Sequence, residues 1–265
     1  MNIKEVFAEK LSKGERVIIP YITAGFPGLE ETIELIRVIE NAGCGIAEVG
    51  VPFSDPMADG PTIQYSSQKA LEKGVTLGKT LALLKKNRAK FHIPLVIMGY
   101  YNPFYQFGLE KLAREAKEAG VQGFIIPDLP LEEAGEWVKL CRSHEIDTIF
   151  LVSPTTSLER AEKIAKLCTG FLYCVSVTGV TGARKEFPPY LKNYLKNLQK
   201  ITDLPRAVGF GISSPEHIKM LYPHAEGMVV GSALIEVIRK HPRQPQLGEE
   251  TAKFLGGLVQ AAANR

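Results

Sequence analysis

The segment from Glu48 to Gly60 reads Glu-Val-Gly-Val-Pro-Phe-Ser-Asp-Pro-Met-Ala-Asp-Gly, and its residue types suit acid and base chemistry. Glu48 sits inside the apolar run Ile46 to Val49, where an ionisable group is costly unless it is paired or used. Asp59 lies at the far end of the loop, beside a glycine that lets the backbone turn. A carboxyl in an apolar strand and another in a polar loop have environments that push their pKa values apart, which yields an acid and a charged partner in one site. Desolvation of Glu48 predicts a pKa above that of a solvated glutamate. Isolated acids in loops are more often simply solvated, so the pair needs support from the rest of the chain.

The elements that must position these residues are short and β-branched. Eight candidate strands run Val17 to Ile22, Ile46 to Val49, Leu95 to Met98, Phe124 to Ile126, Thr148 to Val152, Phe171 to Val175, Ala207 to Gly209 and Met228 to Val230. Each is almost continuously apolar, as strands buried on both faces are. Amphipathic stretches alternate with them: Leu29 with Ile33, Ile36 and Ile39, then Leu109 to Ala119, then Leu131 to Cys141. Strict alternation with this strand number predicts an α/β fold, a single (β/α)8 TIM barrel over residues 1–265. An extra N-terminal helix places Ile3, Val6, Phe7 and Leu11 on one face, and a final helix, Glu249 to Ala262, folds back on the barrel.

In such a barrel the site lies at the C-terminal ends of the strands. Sorted this way, Thr23 to Pro27, the acidic loop, Gly99 to Pro103, Pro127 to Pro130 and Phe210 to Ser214 share one rim. Three Gly-bearing turns, at Gly182, Gly211 and Gly231-Ser232, suggest an anion site, because glycine admits a phosphate and the N–H groups of a helix start point at it. Gly179 to Arg184, with its glycines, Thr181 and Arg184, suits a closing lid or a plain connection. His92 and His224 precede strands at the opposite rim, and His144, His217 and His241 lie on or beside helices. Metal or histidine chemistry is therefore disfavoured, and each histidine is read as a surface residue. Cys44, Cys141, Cys168 and Cys174 show no CxxC spacing and lie in apolar surroundings, which predicts packed, reduced thiols. The net charge of +3 is small and evenly spread, without basic runs interleaved with aromatics, so nucleic acid is not an expected partner. With no signal-like leader and no apolar stretch of membrane-spanning length, a cytoplasmic location is expected.

These residues resemble the tryptophan synthase alpha subunit family. The likeness is carried by the acidic loop continuing into Pro61-Thr62-Ile63-Gln64, by Pro20 to Gly25, by Gly179-Val180-Thr181-Gly182 and by Gly209 to Pro215. It covers nearly the whole chain, with small departures at Gly45 and Ala47. The resemblance implies retro-aldol cleavage of indole-3-glycerol phosphate to indole and glyceraldehyde 3-phosphate, with no cofactor. It implies that Glu48 is the general acid and base and that Asp59 binds the indole N–H. Tyr173 would stand beside Glu48 and Thr181 would orient Asp59. Tyr21, Met98, Leu129 and Phe210 would line the indole pocket. Phosphate would be held at Gly182, Gly211, Gly231 and Ser232. A beta subunit, in an alpha2-beta2 heterotetramer, would dock on Pro52, Asp55, Asn102, Asp128 and Pro130. Sequence pattern alone reaches only a phosphate-binding barrel with a carboxylate pair. A stand-alone indole-glycerol-phosphate lyase and a phosphosugar isomerase remain open at this point, whereas intact Glu48 and Asp59 argue against a non-catalytic regulatory barrel.

Overall fold

Every residue of the first strand, β1 (Val17–Thr23), is buried, because it is covered by helices on one side and by the barrel interior on the other. The computed structural model describes residues 1–176 and 187–263. The remaining strands are β2 (Ala47–Gly50), β3 (Leu95–Met98), β4 (Val121–Ile125), β5 (Asp147–Ile149), β6 (Leu151–Val152), β7 (Leu172–Val175), β8 (Arg206–Gly209) and β9 (Gly227–Val230). These strands pair in parallel, in the order β5-β4-β3-β2-β1-β9-β8-β7-β6. Only Phe150 separates β5 from β6, so the two ends of this sheet are halves of one strand and the sheet closes. The nine strands thus form an eight-stranded barrel, as the sequence predicts. The interruption, which the sequence does not betray, has a local cause. The Phe150 N–H donates to the Cys168 sulfur at 3.4 Å, while its carbonyl still accepts from the Tyr173 N–H at 3.0 Å.

Around the barrel run α1 (Ile3–Ser12), α2 (Leu29–Asn41), α3 (Pro61–Glu72), α4 (Leu77–Lys86), α5 (Tyr101–Phe107), α6 (Leu109–Glu118) and α7 (Gly135–Ser143). They are followed by α8 (Leu158–Ala165), α9 (Tyr190–Leu198), α10 (Pro215–Leu221), α11 (Ser232–Lys240) and α12 (Gln246–Ala262). The helix expected from Leu131 is instead a 3-10 turn, Leu131–Glu133, followed by α7. Gly135, a poor residue for a helix interior, here occupies the first position of α7.

The extra N-terminal helix plugs the barrel floor. Asn2 and Glu5 form a reciprocal capping box, with both hydrogen bonds at 2.8 Å. Ile3, Val6 and Phe7 of α1 then join the inner cluster of Val17, Ile19, Ile46 and Phe171. Gly45 gives room for this plug: a Cβ there would stand 2.7 Å from Val17 and 2.8 Å from Val6. At the other end of the chain, α12 buries Leu247, Leu255 and Leu258 and packs against α2, α10 and α11, so it does fold back on the barrel. With the floor sealed, the upper mouth is left for the site. Among the described residues no helix is long and apolar enough to cross a membrane.

Candidate active site

Strand parity aims Glu48 inward. Ile46 belongs to the cluster inside the barrel, whereas Ala47 and Val49 belong to the layer between barrel and helices. Glu48 lies in register with Tyr21 of β1 and Val96 of β3, and is 1% exposed. Its Oε2 is buried and has no hydrogen-bond partner among the described residues. Burial first, and the negative charge of Asp59 second, push its carboxyl up to about 8.

Asp59 reaches the same recess from the loop that follows β2. Tyr100, at the start of α5, straps this loop from the neighbouring strand end. Its hydroxyl accepts the Ala58 N–H at 3.0 Å and is hydrogen-bonded to the Asp59 carboxylate, while its ring packs on Phe53 at 5.3 Å. The Gln64 side chain donates to the Asp59 carbonyl at 2.8 Å from the first turns of α3, which opens with Pro61 after Gly60. Asp59 is mostly buried, and that burial raises its carboxyl to about 6 against the lowering effect of the Tyr100 hydrogen bond. The sequence places Tyr100 at the rim but cannot assign it this role. Two consecutive tyrosines in a loop carry no periodicity that says which one turns inward.

The acids face a recess open to solvent, whose walls include Tyr21, Ile63, Met98, Tyr173 and Phe210. Two tyrosines frame it in matching fashion. Tyr21 lies across Gly50 and Tyr173 across Gly209, and a Cβ at either glycine would fall on the phenol ring. Burial raises both phenols well above their ordinary range, so both stay neutral. Tyr173 also meets Phe210 edge-on at 6.1 Å. Leu129 does not line this recess. It is buried in the layer between barrel and helices, in a small pocket with Phe124, Ile126, Trp137 and Phe150.

The opposite end of the recess is built from backbone. Phe210 and Gly211 both adopt left-handed conformations, φ 73° and 85°, so the chain after β8 turns sharply. The Ser176 hydroxyl donates to the Phe210 carbonyl at 2.5 Å. Gly211, Ile212 and Ser213 line the recess together with Gly231, Ser232 and Ala233. The latter three start α11, where Gly231 supplies no side-chain cap, so the first N–H groups of the helix are left for a ligand. The predicted residues Thr181 and Gly182 lie outside the described residues.

At the rim, Asp55, Asp128 and Pro130 are exposed on the loops after β2 and β4, and Asn102 is exposed in the first turn of α5, after β3. Asp128 also accepts the Tyr101 N–H at 2.9 Å, fastening two of these loops. Pro52 departs from expectation: it is buried, because the chain has not yet left the barrel wall and the preceding Val51 N–H still bonds the Met98 carbonyl at 2.8 Å. His217, expected at the surface, is 5% exposed and bonded to the turn after β8. All four cysteines are buried free thiols, and burial pushes Cys44 and Cys168 up to about 12. Among the described residues no three His, Cys, Asp or Glu side chains gather as a metal-binding group.

The family model for the tryptophan synthase alpha chain matches residues 7–263. The tryptophan synthase alpha chain of Roseiflexus sp. (strain RS-1) is 48% identical over 91% of this chain and 93% of its own length. That of Carboxydothermus hydrogenoformans is 44% identical over 98% and 97%. Among solved structures, tryptophan synthase from Mycobacterium tuberculosis superposes with a TM-score of 0.90 at 32% identity, covering 99% of this chain and 98% of that one. Tryptophan synthase subunit alpha from Legionella pneumophila str. Paris gives 0.90 at 34% identity, covering 100% of both chains.

Proposed function

The chain belongs to the tryptophan synthase alpha chain family, and we propose that the recess at its upper rim is where it cleaves indole-3-glycerol phosphate to indole and glyceraldehyde 3-phosphate. The observation that carries the site is the buried pair, with Glu48 at about 8 and Asp59 at about 6, in one recess with the start of α11. Near neutral pH the pair then holds a proton on Glu48 and a charge on Asp59.

Glu48 donates its proton to C3 of the indole ring, and the ring nitrogen takes up the positive charge. Asp59 accepts the indole N–H and stabilises that charge. The Glu48 carboxylate then accepts the proton of the side-chain hydroxyl adjoining the ring. The bond from C3 to the glycerol chain breaks, its electron pair returns to the ring, and Glu48 is protonated again. Tyr21, Met98, Tyr173 and Phe210 supply flat apolar walls for the ring. Gly211, Gly231 and Ser232 hold the phosphate, with Gly182 from the segment after β7, where Thr181 orients Asp59.

The chain works as the alpha subunit of tryptophan synthase in L-tryptophan biosynthesis, with a beta subunit in an alpha2-beta2 heterotetramer. Its site is cytoplasmic, and residues 1–265 act as one barrel unit. The family match across almost the whole chain does not favour the stand-alone lyase or the phosphosugar isomerase. The deciding experiment adds indole-3-glycerol phosphate to the purified chain, with and without a beta subunit, and follows indole and glyceraldehyde 3-phosphate. Release of neither product in either condition overturns the proposal.

A further inference from the structure

We propose that His217 positions the anion-binding turn after β8 by accepting the backbone N–H of Ser213 on its Nδ1. This rests on the reading of that turn and of the start of α11 as the phosphate end of the site. His217 stands near the start of α10 and is 5% exposed. Its Nδ1 lies 3.2 Å from the Ser213 nitrogen and 3.4 Å from the Ser213 hydroxyl. A backbone N–H only donates, so Nδ1 is the unprotonated nitrogen and a neutral ring carries its proton on Nε2. The imidazole also packs edge-on against Phe187, with centroids 5.2 Å apart, where the chain returns from the segment after β7.

The turn is thus fastened at both ends. Ser176 donates to the Phe210 carbonyl at its entrance, and His217 accepts from Ser213 at its exit. Between the two fasteners lie Gly211 and Ile212, which line the recess. Phe210 holds a left-handed φ of 73°, which a side chain such as phenylalanine rarely adopts without support from its surroundings. Without the His217 acceptor, the Ser213 N–H is a donor in need of a partner, and the turn must move to find one. With it, the Ser213 N–H is already used, so it is held in place by the ring and not left to an anion.

The test is glycerol 3-phosphate binding to the full chain, run beside binding of indole, which lacks phosphate. His217→Phe keeps a ring against Phe187 and removes the acceptor; His217→Asn offers an amide oxygen close to where Nδ1 stands. For His217→Phe we expect about 5- to 50-fold weaker glycerol 3-phosphate binding, the range for a lost buried hydrogen bond. Its KM for indole-3-glycerol phosphate should rise with little change in kcat, and indole binding should hold. His217→Asn should recover most of the lost affinity. Equal glycerol 3-phosphate binding by wild type and His217→Phe overturns the proposal. So does a fall in indole binding in step with phosphate, since that marks a general structural role. If His217→Phe does not fold, His217→Asn decides: near-wild-type phosphate affinity upholds the acceptor, and a tenfold or greater loss overturns it. A wild-type chain that binds no glycerol 3-phosphate overturns the phosphate reading itself, whereas a binding-competent wild type isolates the question of His217.

Discussion

The carboxylate of Asp59 raises the pKa of Glu48, so the two acids of the recess are coupled and Glu48 is the weaker of the pair, about 8 against about 6. The proposed chemistry needs a neutral Glu48 and a charged Asp59. Hence kcat/KM for indole-3-glycerol phosphate should rise with pH through about 6 as Asp59 ionises and fall beyond about 8 as Glu48 loses its proton. A pH–rate profile of the isolated chain checks this. A flat profile from pH 5 to 9 would remove the acid role from Glu48.

The same burial makes Glu48 costly to the fold. Its folded value of about 8 exceeds the ordinary 4.5, so between these values the folded chain binds more protons than the unfolded one. Stability from this group is fully present below pH 4.5 and is lost as pH rises through about 8. Glu48→Gln removes that dependence. The variant should unfold at a higher temperature than wild type at pH 8, by an amount on the order of a few kcal/mol in free energy, and show little advantage at pH 4. Its lyase activity should fall about 100- to 10,000-fold. Parallel thermal scans at the two pH values, with rate assays, test both halves; equal stability at pH 8 would mean Glu48 is better solvated than its burial implies.

Glu48 was legible in the sequence because an acid inside an apolar strand breaks the local pattern, and the barrel was legible because its strands are short, apolar and regularly spaced. What stayed hidden depends on contacts between distant segments. Tyr100 binds Asp59 across two loops, and at the break in its strand Phe150 gives its N–H to Cys168, eighteen residues further on. His217 looked like a surface residue because a histidine near a helix start carries no sign of the turn packed over it. Leu129 was placed by resemblance, and it is buried with Trp137 in the layer between barrel and helices.

Tyr100→Phe should show how much of Asp59's behaviour belongs to its strap. The hydroxyl lowers the Asp59 pKa, so its loss should move the acidic limb of the pH–rate profile upward. The Ala58 N–H loses its acceptor as well, loosening the loop. A drop in kcat/KM of about tenfold is expected at pH 7, shrinking at pH 8. An unmoved limb would mean that Tyr100 does not tune Asp59.

Gly231→Ala probes the anion end. A Cβ at this position would stand 3.7 Å from Tyr21 and 3.9 Å from Ile63, ordinary contacts, so the protein itself has room for it. Both neighbours line the recess, and the added methyl would occupy space that a phosphate approaches. Glycerol 3-phosphate should bind about tenfold more weakly, with the unfolding temperature little changed. Unchanged affinity, measured by calorimetry, would move the phosphate away from the start of α11.

Docking of the beta subunit should be read out at the loop that carries Asp59. On this loop, which also carries the exposed Asp55, Met57 is 86% exposed, and on α5, which follows β3, Tyr105 is 61% exposed. Large exposed apolar side chains at a rim are what a partner would cover. Met57 is joined through Ala58 to the Tyr100 hydroxyl and so to Asp59, a short path from surface to site. Met57→Lys should weaken beta-subunit binding by about tenfold or more, as loss of an apolar anchor does, while leaving the lyase activity of the isolated chain within a few-fold of wild type. If docking orders Asp59, the factor by which the beta subunit tightens binding of a substrate analogue must equal the factor by which that analogue tightens the complex. Sedimentation with and without the analogue, set beside analogue titrations with and without the beta subunit, measures both factors. Unaltered assembly by Met57→Lys would place the interface elsewhere on the rim, and factors of one would show that docking and the acid pair are uncoupled.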